Sequence, residues 1–220
     1  QYVEGTRNNA AINGDYEGID TEEAAIAFLD EVLANADTYV EWDTEATALY
    51  VRDGHVLGIS LSYKENHGRY ILCDVITEVV EQKLQEIADR FIAVFHNMKF
   101  DIKMIEYHFS IRFNRDRVED TMCMHYVLDE VNKHGLKVLA LKYTDFGDYD
   151  SALDEFKKSY CAQHGMLQED FTYDLIPYDI ISKYAAIDTA VTRALRVKFL
   201  PIIQGNLRLM KVYREIFIKG

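Results

Sequence analysis

Between Thr38 and Val75, three short runs rich in β-branched and aromatic residues, TYVEWDTE, HVLGISLSY and RYILCDV, are separated by turn signals at Gly54 and at Asn66-His67-Gly68. This spacing predicts an antiparallel meander. From Thr77 the pattern changes. A helical period to about Arg90 gives way to a short apolar run, FIAVFH, then to a helix from about Lys99 and an extended stretch around Arg117 to Asp120. Helices are expected over about 121–130, 136–143, 151–162 and 179–199. Upstream, Asp20 or Thr21 can cap a helix through EEAAIAFLDEVLANA, with Glu22 and Glu23 favouring the dipole of its first turn. A meander followed by strand and helix alternation predicts a mixed sheet with helices on its faces, of α/β or α+β class. Residues 1–18 read as a loose polar segment, 19–200 as one domain, and 201–220, opening on Pro201, as a further helical segment.

Composition narrows the function. A chain of 220 residues that is 49% hydrophobic buries roughly 70% of the surface its unfolded form exposes, so it needs no disulfide or metal to stay folded. The three cysteines, Cys73, Cys123 and Cys161, lack the spacing of a disulfide framework or a zinc site. No apolar run reaches the roughly 18 residues of a membrane span, and the start, QYVEGTRNNA, is not a signal peptide. These features predict a soluble, cytoplasmic protein with no membrane contact. A first residue of Gln in place of Met suggests a piece of a longer protein. The net charge of −13 repels a polyanion at long range and argues against a salt-driven nucleic-acid binder. Any such site must be local and metal-assisted. Val131 to Tyr143, with Lys133, Lys137 and Lys142 and no acid, is where an anionic substrate would pass.

Three segments carry acids where chemistry is possible. In Val40-Glu41-Trp42-Asp43-Thr44-Glu45, an apolar strand ends in Asp43 and Glu45 at i and i+2, hence on one face. Two carboxylates held close repel unless they are protonated or bridged by a hard cation. In Phe95-His96-Asn97-Met98-Lys99-Phe100-Asp101, Asn97 is a helix cap and Asp101 lies one turn inside. In Lys183-Tyr184-Ala185-Ala186-Ile187-Asp188, Tyr184 and Asp188 stack on one helical face, and the alanines permit close approach to the sheet. Each segment alone also fits an ordinary solvated acid or packed tyrosine. Together, four carboxylates and a phenol match a two-metal phosphoryl hydrolysis site. Asp120 reads as a cap for the helix from Thr121. His96, His125 and His134 read as hydrogen-bonded rather than ligating, and the acids between Asp145 and Glu155 read as a solvated face.

The trio WDTE, HNMKFD and YAAID closely resembles the three motifs of the DEDDy 3′–5′ exonucleases, and specifically the proofreading domain of family A, polymerase I-like DNA polymerases. The stretch EDTMCMHYVLDEVNKHGLKVLALKY resembles that family's connection between its second and third motifs, so the likeness runs from about Thr38 to Leu200. It implies a ribonuclease H-like, DnaQ-type fold. It also implies two divalent ions, Mg²⁺ or Mn²⁺, held by Asp43, Glu45, Asp101 and Asp188, with Tyr184 and Glu45 orienting the attacking water. By the same resemblance Leu49 wedges against the terminal base, Asn97 touches the substrate strand, and Thr44 and Thr47 approach the terminal nucleotide. Lys137 is a candidate phosphate contact. The implied substrate is the 3′ end of single-stranded DNA, and the implied partner is a DNA polymerase domain or subunit, to which 201–220 would be the junction. Two alternatives share these residues: a ribonuclease D-like RNA trimming enzyme, and a non-catalytic module that binds a primer end or a polymerase.

Overall fold

The computed structural model describes residues 9–218. After a short helix α1 (Asn9–Asn13), strand β1 (Asp15–Ile19) lies at one edge of the sheet, although its residues fall within or just after the stretch read as a loose polar segment. Helix α2 (Glu22–Asn35) follows, capped by the Thr21 hydroxyl on Ala24 N. The meander then forms as expected, from β2 (Tyr39–Ala46), β3 (Val56–Ser62) and β4 (His67–Leu72), each antiparallel to the next. Helix α3 (Glu78–Arg90), β5 (Ile92–Phe95), α4 (Met98–His108) and β6 (Val118–Asp120) complete the sheet in the order β1-β4-β3-β2-β5-β6. The remaining elements are α5 (Thr121–Leu128), α6 (Leu136–Tyr143), α7 (Ser151–His164), α8 (Tyr178–Gln204), α9 (Leu207–Val212) and a π-helical turn at Tyr213–Ile218.

β2 sits inside the sheet, antiparallel to β3 and parallel to β5. β5 pairs with it only over Tyr39–Glu41, so the end that carries Asp43 and Glu45 is held in the sheet by β3 alone, and its alternating side chains face the two helical layers. On β4, His67 meets Phe28 of α2, whereas the next residue, Gly68, lies against α8. Successive strand residues face opposite sides, so α2 and α8 cover opposite faces. The approach of α8 is very close. A Cβ on Gly68 would stand 2.1 Å from the Ala186 carbonyl oxygen, and one on Gly18 would strike Tyr178 and Ser182. Small residues on the helix side, Ala185, Ala186 and Ala190, are buried at this contact.

α8 does not break at Pro201. It runs on to Gln204, with Phe199, Leu200 and Ile203 buried around the proline. The missing proline N–H costs one helical hydrogen bond, and the packed apolar face holds the turn despite it. The expected start of a separate segment at 201 therefore falls inside a continuous helix.

Candidate active site

On the face of β2 toward α8 stand Glu41, Asp43 and Glu45. From Glu41 to Glu45 the strand advances about 13 Å at roughly 3.3 Å per residue, and from Asp188 to Arg196 the helix advances about 12 Å at 1.5 Å per residue. Strand and helix run in opposite directions, so the two sets of side chains meet in register. At the inner end, Arg196 Nε donates to Glu41 Oε1 at 2.7 Å and Arg193 lies 3.3 Å from Oε2. Glu41 is fully buried and its charge is neutralised within the chain. At the outer end, Asp188 faces Asp43 and Glu45, and the three offer carboxylate oxygens all within 4.8 Å of one another.

Burial raises the Asp43 carboxyl well above the usual range, and the charges of Asp101, Glu45 and Asp188 push the same way. Glu45 is raised by burial and by Asp188. Such a group of hard oxygen donors is at ease when a divalent cation replaces the protons. The residues present fit that ion class. Among the described residues, this is the group of carboxylate, His and Cys donors that meets the spacing of a metal site.

Asp101 stands apart from the three. Past the last pair between β2 and β5, Asp101 Oδ1 accepts from the Thr44 amide at 2.9 Å and from its hydroxyl at 2.6 Å. Burial lifts the Asp101 carboxyl to about 7, with the Thr44 hydrogen bonds acting against the rise. The hydroxyl of Thr44, expected near the terminal nucleotide, is thus engaged with Asp101. The Thr47 hydroxyl accepts from His55 N at 3.1 Å, and Leu49 stands 80% exposed on the same loop.

Asn97 does not cap α4 with its side chain. It adopts a left-handed backbone (φ 75°), and its carboxamide makes no capping bond. Asp120 caps instead, accepting from Asn97 N at 3.2 Å and Met98 N at 2.8 Å while also taking Met122 N and Cys123 N of its own helix. Asn97 is left exposed at the rim.

Tyr184 lies one turn before Asp188. Its phenol is pushed up by burial and by the Asp188 and Glu45 charges, so it stays protonated. Lys137 is drawn into the centre: its Nζ donates to Asp188 Oδ1 and to the Tyr149 hydroxyl, each at 2.8 Å, and lies 3.8 Å from the Tyr184 ring centroid. The Tyr149 hydroxyl in turn donates to Asp188 Oδ1, and the Tyr149 ring stacks on Tyr184 with centroids 6.3 Å apart. Sequence reasoning missed Tyr149, which sits among acids in a loop with no periodic signal. His96 Nε2 donates to His134 O at 2.9 Å, and the Thr121 hydroxyl lies 2.8 Å from His96 Nδ1. Burial lowers the His96 pKa, and the same Thr121 hydroxyl donates to the Phe95 carbonyl at 3.2 Å. A cavity of about 280 Å³ opens beside Tyr149 and Tyr184. A larger cleft of about 640 Å³, farther down α8 between Tyr143 and Lys198, contains none of the four acids.

Solved structures share this fold at low identity. The catalytic core of RRP6 from Trypanosoma brucei superposes with a TM-score of 0.66 at 15% identity, over 96% of this chain and 53% of that one. Trypanosoma brucei RNase D in complex with RNA U12 gives 0.64 at 16%, over 95% and 72%. Brucella melitensis NrnC bound to pGG gives 0.62 at 14%, over 93% and 89%. The six-stranded mixed sheet with its flanking helices thus defines a domain of the ribonuclease H-like fold. Within that class, the chain belongs to the 3′–5′ exonuclease family of family A DNA polymerases, whose model matches residues 16–204. It is 45% identical over 221 aligned residues to the DNA polymerase of Escherichia phage T5, covering 97% of this chain and 26% of that protein. It is 31% identical over 170 residues to the DNA polymerase of Bacillus phage SP01, covering 77% and 17%. The chain thus spans about a quarter or less of the curated relatives it matches.

Proposed function

We propose that this chain hydrolyses the 3′-terminal phosphodiester of single-stranded DNA, releasing nucleoside 5′-monophosphates, and that it proofreads for a phage DNA polymerase. The convergence of Asp43, Glu45 and Asp188 within 4.8 Å carries the reading. Family membership and the phage polymerase relatives support DNA as substrate, a polymerase domain or subunit as partner, and the cytoplasm of an infected cell as location. No helix among the described residues is long and apolar enough to cross a membrane.

Asp43, Glu45 and Asp188 would hold one Mg²⁺ or Mn²⁺, and Asp43 with Asp101 a second. Bound in such a site, paired ions lower the pKa of a water and stabilise the departing 3′ oxygen. The chain's own residues do the positioning. Glu45 accepts a hydrogen bond from the attacking water while the protonated Tyr184 fixes its direction. Asp101, held by Thr44, keeps its carboxylate at the outer end of β2. Leu49 presses on the terminal base, Asn97 contacts the strand, and Thr47 lies beside the terminal nucleotide. Splaying the last nucleotide into this pocket requires a single strand.

The test is a 5′-labelled single-stranded DNA oligonucleotide with Mg²⁺ or Mn²⁺, run beside an Asp43→Ala variant and an RNA of the same sequence. A metal-dependent ladder shortening from the 3′ end, absent in the variant, is expected. A ladder unchanged in Asp43→Ala would refute the site. The likeness to RNase D in complex with RNA favours one second reading, RNA trimming, and a stronger ladder on the RNA arm would establish it.

A further inference from the structure

The least expected feature of the site is the crowding of one oxygen. Asp188 Oδ1 receives both the Lys137 ammonium and the Tyr149 hydroxyl. A carboxylate oxygen offers about two lone-pair positions, so a further ligand there must displace a donor or shift the carboxylate. Among the described residues, Lys137 is the cation that ion-pairs with any of the four acids. It is also built to move. Its side chain keeps 31% of its surface exposed, on a flexible four-carbon stem. Its backbone, in contrast, is anchored: the His96 bond to His134 O fixes the approach to α6 three residues before Lys137.

From this geometry we infer that Lys137 and Tyr149 form an exchangeable clamp on Asp188, with the ammonium competing with the divalent ion for the carboxylate and moving to the substrate phosphate when both bind. The inference rests on the metal-dependent reading above. An ammonium 2.8 Å from Asp188 Oδ1 neutralises part of the charge that would attract the ion, and it repels the ion directly. A phosphate at the site offers that ammonium another anion, so DNA lowers the cost of seating the ion. By linkage, the ion then tightens DNA to the same degree. Tyr149 keeps its ring on Tyr184 throughout, so the clamp opens without unpacking the water-orienting phenol. The result is a centre that loads ions weakly without DNA and strongly with it.

The experiment measures Mn²⁺ affinity of the whole chain by the electron paramagnetic resonance signal of free Mn²⁺, without DNA and with a cleavage-resistant oligonucleotide carrying a 3′-terminal phosphorothioate. Without DNA, Lys137→Met should bind Mn²⁺ about tenfold more tightly than the parent, a modest effect in keeping with a partly exposed charge. Lys137→Arg, which keeps the charge, should bind like the parent. With the oligonucleotide, the gain in Mn²⁺ affinity should be smaller in Lys137→Met than in the parent. If Lys137→Met fails to fold, as checked by circular dichroism, Lys137→Gln takes its place. Equal or weaker Mn²⁺ binding by the neutral variant would overturn the clamp while leaving the metal site standing. A parent that binds no Mn²⁺ under either condition would overturn the metal-dependent reading itself.

Discussion

Replacing Asp43 by Asn should make the protein more stable and useless for ion binding at once. Two unit charges at the 4.8 Å outer limit of this group repel by roughly 3.5 kcal/mol at an effective dielectric constant of about 20. Asp43 faces two such neighbours in Glu45 and Asp188, Asp101 adds to their effect, and Lys137 offsets part of the repulsion. Asn keeps the shape and removes the charge, so a net gain of about 1–3 kcal/mol is expected in chelator at pH 8. For a chain of this length that is a rise in Tm of about 3–10 °C. The pH dependence has a definite sign. A carboxyl whose pKa is raised by folding binds its proton more tightly in the native state, so its contribution to stability is full below the unfolded value and is lost as pH rises through the folded one. For Asp101 that window runs from 3.8 to about 7, and Asp43 and Glu45 shift in the same direction. The parent should therefore lose stability between about pH 4 and pH 7, and the Asn variant less of it, so the gap in Tm is wide at pH 8 and narrow at pH 5. Mn²⁺ should raise the parent's Tm and leave the variant's almost unchanged. Thermal unfolding in chelator and in Mn²⁺ at both pH values decides the matter. A variant that melts below the parent at pH 8 in chelator, or a gap that persists at pH 5, would refute the repulsion.

Two further substitutions probe the seam between β2 and α8. Arg196→Met strips Glu41 of its closer partner in a fully buried setting and should cost about 3 kcal/mol in urea unfolding; a second change, Glu41→Met, should recover most of it, and a loss under about 1 kcal/mol for the single variant would contradict the pairing. Gly68→Ala places a Cβ against the Ala186 carbonyl and should destabilise the chain by about 1–3 kcal/mol, with weaker Mn²⁺ binding because α8 carries Asp188; unchanged stability and binding would mean that the helix has room to retreat.

Much of the fold is legible in the sequence wherever one period dominates. The meander strands, α3 and β5 follow from runs of apolar residues whose faces are decided locally. β1 was hidden because Asp15-Tyr16-Glu17-Gly18-Ile19 is short and polar, and only pairing with β4, about 50 residues away in sequence, makes it a strand. Pro201 misled for the same reason, since the burial that carries α8 past it comes from tertiary packing. At the site, spacing shows that the i, i+2 acids of β2 share one face and the i, i+4 pair of α8 another, although each alone also fits solvated acids or a packed tyrosine. Their convergence depends on the register between strand and helix, which spacing does not reveal. Asn97 looked like a cap because its residue type suits one, yet a carboxylate 23 residues later performs the task. Tyr149 carries no local signal at all: its role exists only because the loop before α7 folds onto α8.

Asp120 makes a collective demand on the backbone. Four amides, those of Asn97, Met98, Met122 and Cys123, share its two oxygens, and its own amide donates to the Tyr213 hydroxyl, which also donates to the buried Glu119. Amides that depend on one acceptor cannot open independently. In hydrogen–deuterium exchange these four should report a common opening free energy, set by loss of the β6 terminus rather than by fraying of either helix. The start of the helix bearing Asp101, the start of α5 and the turn around Tyr213 would then have one shared lifetime, although more than a hundred residues separate its first member from its last.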